Sequence, residues 1–225
     1  MHPYPFRFEP IPVAKVWGGR FLESLGRLLP GDKDQPIGES WELVDLPDLA
    51  GTIVNGPAQG RNLAELRTSM PDSVIGDLRT AEPHGGFPLL VKYLHAADNL
   101  SIQVHPTRQM PDSDPTAIPK HEAWYVLHAE PGAVIYKGLK EGTTKEDIRA
   151  AIGSDSLPDL MLAVPARPGE CHYLPAGTCH ALGAGVVVAE VQTPSTTTYR
   201  LWDWGAYRTR VAPREGAGLR ASRPA

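Results

Sequence analysis

Proline and glycine recur 23 and 22 times in 225 residues, and they cut this chain into short pieces. Proline cannot donate to a ladder or continue a helix, and glycine weakens both. Punctuation this dense favours many short strands joined by turns. The intervening segments read accordingly. Leu89-Leu90-Val91-Lys92-Tyr93-Leu94 is an apolar run holding one charge, and Leu100-Ser101-Ile102-Gln103-Val104-His105 alternates apolar and polar with period two. Glu122 to Leu127, Ala133 to Tyr136, Cys171 to Leu174 and Val186 to Val191 complete a strand-rich centre. The pattern is that of a sandwich or barrel.

Two stretches carry helical spacing instead. One is Asn62-Leu63-Ala64-Glu65-Leu66-Arg67. The other runs from Thr143 to Ile152, where Thr144 and Asp147 resemble a capping box and Ile148, Ala151 and Ile152 follow at three and four. With no long linker beside them, they are expected as insertions near 58–79 and 143–162 in a single domain spanning 1–212. Arg214, Arg220 and Arg223, set among Gly, Ala and Ser, mark 213–225 as a flexible tail.

Bulk properties narrow the function classes. A hydrophobic fraction of 41% with 21% charged residues is globular composition, and a net charge of -4 gives no basic excess for nucleic acid. No apolar run approaches the roughly 20 residues that span a bilayer, and MHPYPFRFEP lacks the features of a signal peptide. Cys171 and Cys179 are too few for a disulfide framework. The expectation is a cytoplasmic protein with two free thiols, no nucleic-acid partner and no membrane partner.

Spacing suggests a metal site. Side chains two apart on a strand share a face about 6.6 Å apart, so Gln103 and His105 are neighbours, and Pro106 ends regular pairing after them. Glu122 opens an apolar strand, and His180 follows the turn Pro175-Ala176-Gly177-Thr178. One amide oxygen, two imidazoles and one carboxylate are accepted ligands for Zn²⁺. Taken singly, each residue has an ordinary alternative, a structural histidine or a surface ion pair, and spacing alone leaves the choice open. His121-Glu122 opens like a zinc-protease motif, but Tyr125 stands where the second His is required. Gly183-Ala184-Gly185 begins like a dinucleotide loop, yet Val188 replaces the third Gly. Cys179 and His180 are not a nucleophile–base pair, because strand neighbours face opposite ways.

Seven ordered motifs in this chain resemble the type I mannose-6-phosphate isomerase family, in its short bacterial form within the cupin superfamily. They are Trp17-Gly18-Gly19, Gly38-Glu39-Ser40-Trp41-Glu42, Phe87-Pro88-Leu89-Leu90-Val91-Lys92, and the run from Leu100 to Pro106. Lys120-His121-Glu122-Ala123-Trp124-Tyr125, the run from Pro175 to Ala181, and Thr198-Tyr199-Arg200-Leu201-Trp202-Asp203-Trp204 follow. The resemblance implies an all-β cupin (jelly-roll) barrel with one zinc at Gln103, His105, Glu122 and His180, other divalent metals being open. It further implies a catalytic arginine at Arg200 and active-site lysines at Lys120 and Lys92. The implied reaction interconverts mannose 6-phosphate, or a related hexose phosphate, and its ketose by proton transfer. The competing expectation is a non-catalytic sugar-binding or regulatory cupin, and iron-dependent oxygenase chemistry is a weaker third.

Bland alternatives stand beside the catalytic ones. Lys92 suits an edge-strand gatekeeper, Lys120 a solvated turn, and Arg200 an ion pair with Asp203. The chain also departs from the family. Thr193-Pro194-Ser195-Thr196-Thr197-Thr198 lacks the Asp usual before the arginine motif, which puts substrate preference in question. Family members also continue into a second β-rich domain, and the expectation is that the face such a domain normally covers is exposed here or used in a homodimer.

Overall fold

The computed structural model describes residues 4–76, 86–108 and 117–205. The strands there are β1 Ile11–Gly19, β2 Ile37–Leu43, β3 Asp45–Leu46, β4 Leu49–Ala50, β5 Leu90–Ala96, β6 Ile102–Val104 and β7 Glu122–Ala129. They continue with β8 Val134–Leu139, β9 Met161–Pro165, β10 Cys171–Leu174, β11 His180–Leu182, β12 Val186–Gln192 and β13 Tyr199–Trp202. Short helices interrupt them: α1 Leu63–Ser69, α2 Pro71–Val74 and α3 Lys145–Ala151. Two antiparallel sheets dominate, ordered β1-β2-β5-β12-β7-β10 and β13-β6-β11-β8-β9.

Alternation decides what enters the space between the sheets. On β5, Leu90, Lys92, Leu94 and Ala96 are buried and the residues between them are less so. Leu94, Ala96, Trp124, Val126, Val186 and Val188 of the larger sheet meet Ile135 and Leu182 of the smaller in one core. A second core lies behind the smaller sheet, where Ile102, Ala181 and Met161 pack against Ala151 of α3 and Leu157. The result is a mostly β architecture of the kind expected from the punctuation, with short helices, and it accords with the cupin fold that the resemblance implies.

The helices start where side chains satisfy the free N–H groups of their first turn. Asn62 and Glu65 form a reciprocal capping box on α1, and Thr144 and Asp147 do the same on α3. The second helical stretch ends earlier than expected. A 3-10 turn closes at Leu160, and Met161 begins β9 because it pairs with β8. β6 is also shorter than the alternation suggests, since Leu100 instead gives its N–H to the Leu182 carbonyl. Residues 77–79 of the first helical stretch and the tail at 213–225 lie outside the described residues. No helix among the described residues is long and apolar enough to cross a membrane.

Candidate metal centre and the charged network beside it

Cross-strand register assembles the first half of the centre. Gln103 on β6 lies opposite His180 on β11 and Arg200 on β13, and directly opposed residues share a face. Gln103 Nε2 stands 3.3 Å from His180 Nε2. Glu122, at the start of β7 in the other sheet, completes the cluster. Its Oε1 lies 3.3 Å from His105 Nε2 and its Oε2 3.2 Å from His180 Nε2. One ligand atom each from His105, Glu122 and His180 falls within 4.8 Å of the others, and all three residues are buried.

Both imidazoles are aimed from behind. His105 Nδ1 is 3.0 Å from the Thr197 carbonyl, and His180 Nδ1 is 2.8 Å from the Thr178 carbonyl. A carbonyl only accepts, so each Nδ1 carries the proton and each Nε2 turns a lone pair toward Glu122. His105 Nε2 and Glu122 Oε2 are buried without a hydrogen-bond partner. Lone pairs converging on a carboxylate repel unless a cation lies among them, so the donor set fits a divalent metal. Lys120 adds one charge, with Nζ 2.5 Å from Glu122 Oε1. Burial holds His105 below the ordinary histidine value.

A second buried cluster adjoins the first. Lys92 Nζ lies 3.3 Å from Glu190 Oε1, 4.0 Å from Glu39 Oε2, and 5.1 Å from the centre of the Trp41 ring. Trp124 Nε1 donates to Glu190 Oε2 at 2.8 Å, and Trp41 Nε1 to Glu39 Oε2 at 2.5 Å. Burial would lower the Lys92 pKa, but Glu190, Glu39 and Glu122 raise it above the usual lysine value. The Trp124 ring meets His180 edge-on at 5.4 Å, so the clusters touch. Lys92 is therefore no edge-strand gatekeeper. β5 lies between β2 and β12, and the residue is 9% exposed.

The remaining candidates fall at the margin. Arg200 is exposed on β13, the edge strand of its sheet, and among the described residues no ion pair joins it to Asp203. In the loop without a carboxylate, Ser195 Oγ donates to the Ile118 carbonyl and accepts from Thr197 N–H. A hydroxyl thus fixes the loop whose carbonyl orients His105. Glu39, Glu190 and Trp124 were not singled out from sequence. The available signal was a lone Glu190 in an apolar strand, which needs a partner such as the lone Lys92.

Comparison with known proteins bears on the family and the fold. The family described as phosphomannose isomerase type I, catalytic domain, matches residues 6–124. A mannose-6-phosphate isomerase of Streptococcus mutans is 35% identical over 191 residues, covering 84% of this chain and 58% of its own length. The crystal structure of the mannose 6-phosphate isomerase from Bacillus subtilis superposes with a TM-score of 0.78 at 30% identity, covering 94% of this chain and 65% of that one. A zinc-bound mannose 6-phosphate isomerase shares the fold, with a TM-score of 0.63 at 20% identity over 87% of this chain and 70% of its own. This chain thus spans about three-fifths of the length of its curated relatives. With more than half of its residues matched by the family model, the chain belongs to the type I phosphomannose isomerases.

Proposed function

We propose that this chain is a metal-dependent aldose–ketose isomerase acting on mannose 6-phosphate, or a closely related hexose phosphate, and yielding the ketose phosphate through an enediol. The observation that carries the proposal is the convergence of His105, Glu122 and His180, with buried lone pairs left unsatisfied. Gln103 would join them as fourth ligand once its amide turns its oxygen inward. Zn²⁺ is the metal we assign, and when bound it would supply Lewis-acid polarisation of the sugar oxygens, worth several kcal/mol.

The chain's own residues divide the remaining work. Lys92, held between two carboxylates and raised in pKa, is suited to stay an ammonium and donate hydrogen bonds rather than act as a base. Lys120, buried beside Glu122, is placed to move a proton at Nζ. Arg200, exposed and opposite Gln103, offers a forked cation for the phosphate or for negative charge developing on the sugar oxygens. A cytoplasmic setting accords with a sugar-phosphate substrate, which charge retains inside the cell.

The test is a coupled assay of purified protein with mannose 6-phosphate, with and without chelator. Activity should vanish on chelation and return with zinc. A folded, zinc-loaded protein that binds hexose phosphates yet turns none over would instead establish the non-catalytic cupin.

A further inference from the structure

We propose that His121 is a positioning residue of the metal centre, clamping the turn that delivers His180 to the segment that delivers Glu122. This rests on the metal reading above. Strand alternation turns the His121 side chain away from the interior, where its neighbours Lys120 and Glu122 are buried.

Its imidazole makes the clamp. His121 Nδ1 accepts the Ala176 N–H at 3.4 Å and lies 2.8 Å from the Tyr173 hydroxyl. A backbone N–H can only donate, so Nδ1 is the acceptor, and its one lone pair is shared between the Tyr173 hydroxyl and the more distant Ala176 N–H. The two rings lie parallel within 5°, with centroids 6.1 Å apart. Ala176 belongs to the turn Pro175–Thr178, whose Thr178 carbonyl orients His180 and whose Gly177 N–H bonds the His105 carbonyl. The main chain of His121 ties in a third segment. Its N–H donates to Thr193 Oγ1 at 3.0 Å, and its carbonyl accepts from Thr193 N–H at 3.0 Å. That segment leads to Thr197, whose carbonyl orients His105. One residue outside the centre therefore joins the three segments that aim its ligands.

The test is calorimetric titration of Zn²⁺ into the metal-stripped chain, with the visible spectrum of bound Co²⁺ reporting ligand geometry. His121→Ala should weaken zinc binding about tenfold and shift the cobalt bands, the scale typical of residues that orient metal ligands. His121→Asn, whose Oδ1 can still accept from Ala176, should restore most of the affinity. If the alanine variant does not fold, His121→Phe repeats the test, since it keeps the ring against Tyr173 and removes both hydrogen bonds. Unchanged affinity and spectrum in His121→Ala or His121→Phe would overturn the role, as would an asparagine variant no better than alanine. A His180→Ala control separates the two levels: unaltered zinc binding there would refute the metal site itself.

Discussion

The His105–Glu122–His180 cluster and the Glu39–Lys92–Glu190 cluster are both buried between the two sheets, yet they are completed differently. In the second, a cation built into the chain sits between two carboxylates, each of which also accepts an indole N–H, and Glu190 Oε1, which has no hydrogen bond, faces the Lys92 ammonium 3.3 Å away. In the first, two imidazoles turn lone pairs toward a carboxylate, and His105 Nε2 and Glu122 Oε2 find no hydrogen-bond partner. Burying such atoms is unfavourable unless something from outside completes them. A self-paired cluster acts as scaffold and fixed charge. An incomplete one marks where a ligand belongs.

The strongest challenge to that distinction is Lys92→Met. Removing one member of a buried ion pair typically destabilises by about 3–5 kcal/mol, because the stranded charges remain in low dielectric. In a chain of this size that corresponds to roughly 10 °C in melting temperature. The loss should be the same with and without zinc, whereas zinc alone should raise the melting temperature of the unaltered protein through mass action. Equal melting of Lys92→Met and wild type by scanning calorimetry would erase the contrast.

How much of this the sequence disclosed depended on whether the information was local. Period-two alternation showed that Gln103 and His105 share a face, and capping chemistry placed the start of α3 at Thr144. Strand pairing was not legible. Nor were β1 to β4, β9, β11 and β13 legible as strands, because Pro12, Gly18 and Gly19 blur the first, β3 and β4 have two residues each and β11 has only three. That pairing sets Arg200, Gln103 and His180 in one row and brings Glu190 beside Lys92. The motifs held Glu39 and Trp41, but only the sheets reveal that they serve Lys92 and not the metal.

Acid should separate the clusters by a smaller effect. Burial pushes the Glu39 carboxyl up, but Lys92, Lys15 and the Trp41 N–H outweigh it and hold the group below its ordinary 4.5. Such a carboxylate contributes stability that is present above 4.5 and lost as pH falls through the lower folded value. His105 is held below 6.5 by burial, so the unfolded chain takes up a proton that the folded one resists, and stability declines once pH drops below 6.5. His95 and His172, also lowered by burial, add to this upper limb. Melting of the metal-free protein should therefore fall in two stages, and Glu39→Gln should shallow the lower one alone. A flat profile between pH 7 and 5 would remove the first cluster's share.

The mildest test concerns the wall behind His180. Cys179 faces the opposite way, into the core covered by α3, where burial pushes its thiol up to about 11. Cys171 is exposed on β10. Only the thiolate attacks a maleimide, and at pH 8 a thiol with that pKa is ionised about one part in a thousand. One cysteine should label quickly and the other only on unfolding, as read by mass spectrometry with and without denaturant. Should Cys179 label as fast as Cys171, the strand carrying His180 opens readily. The lone pairs beside Glu122 would then be relieved by local motion rather than held ready for a metal.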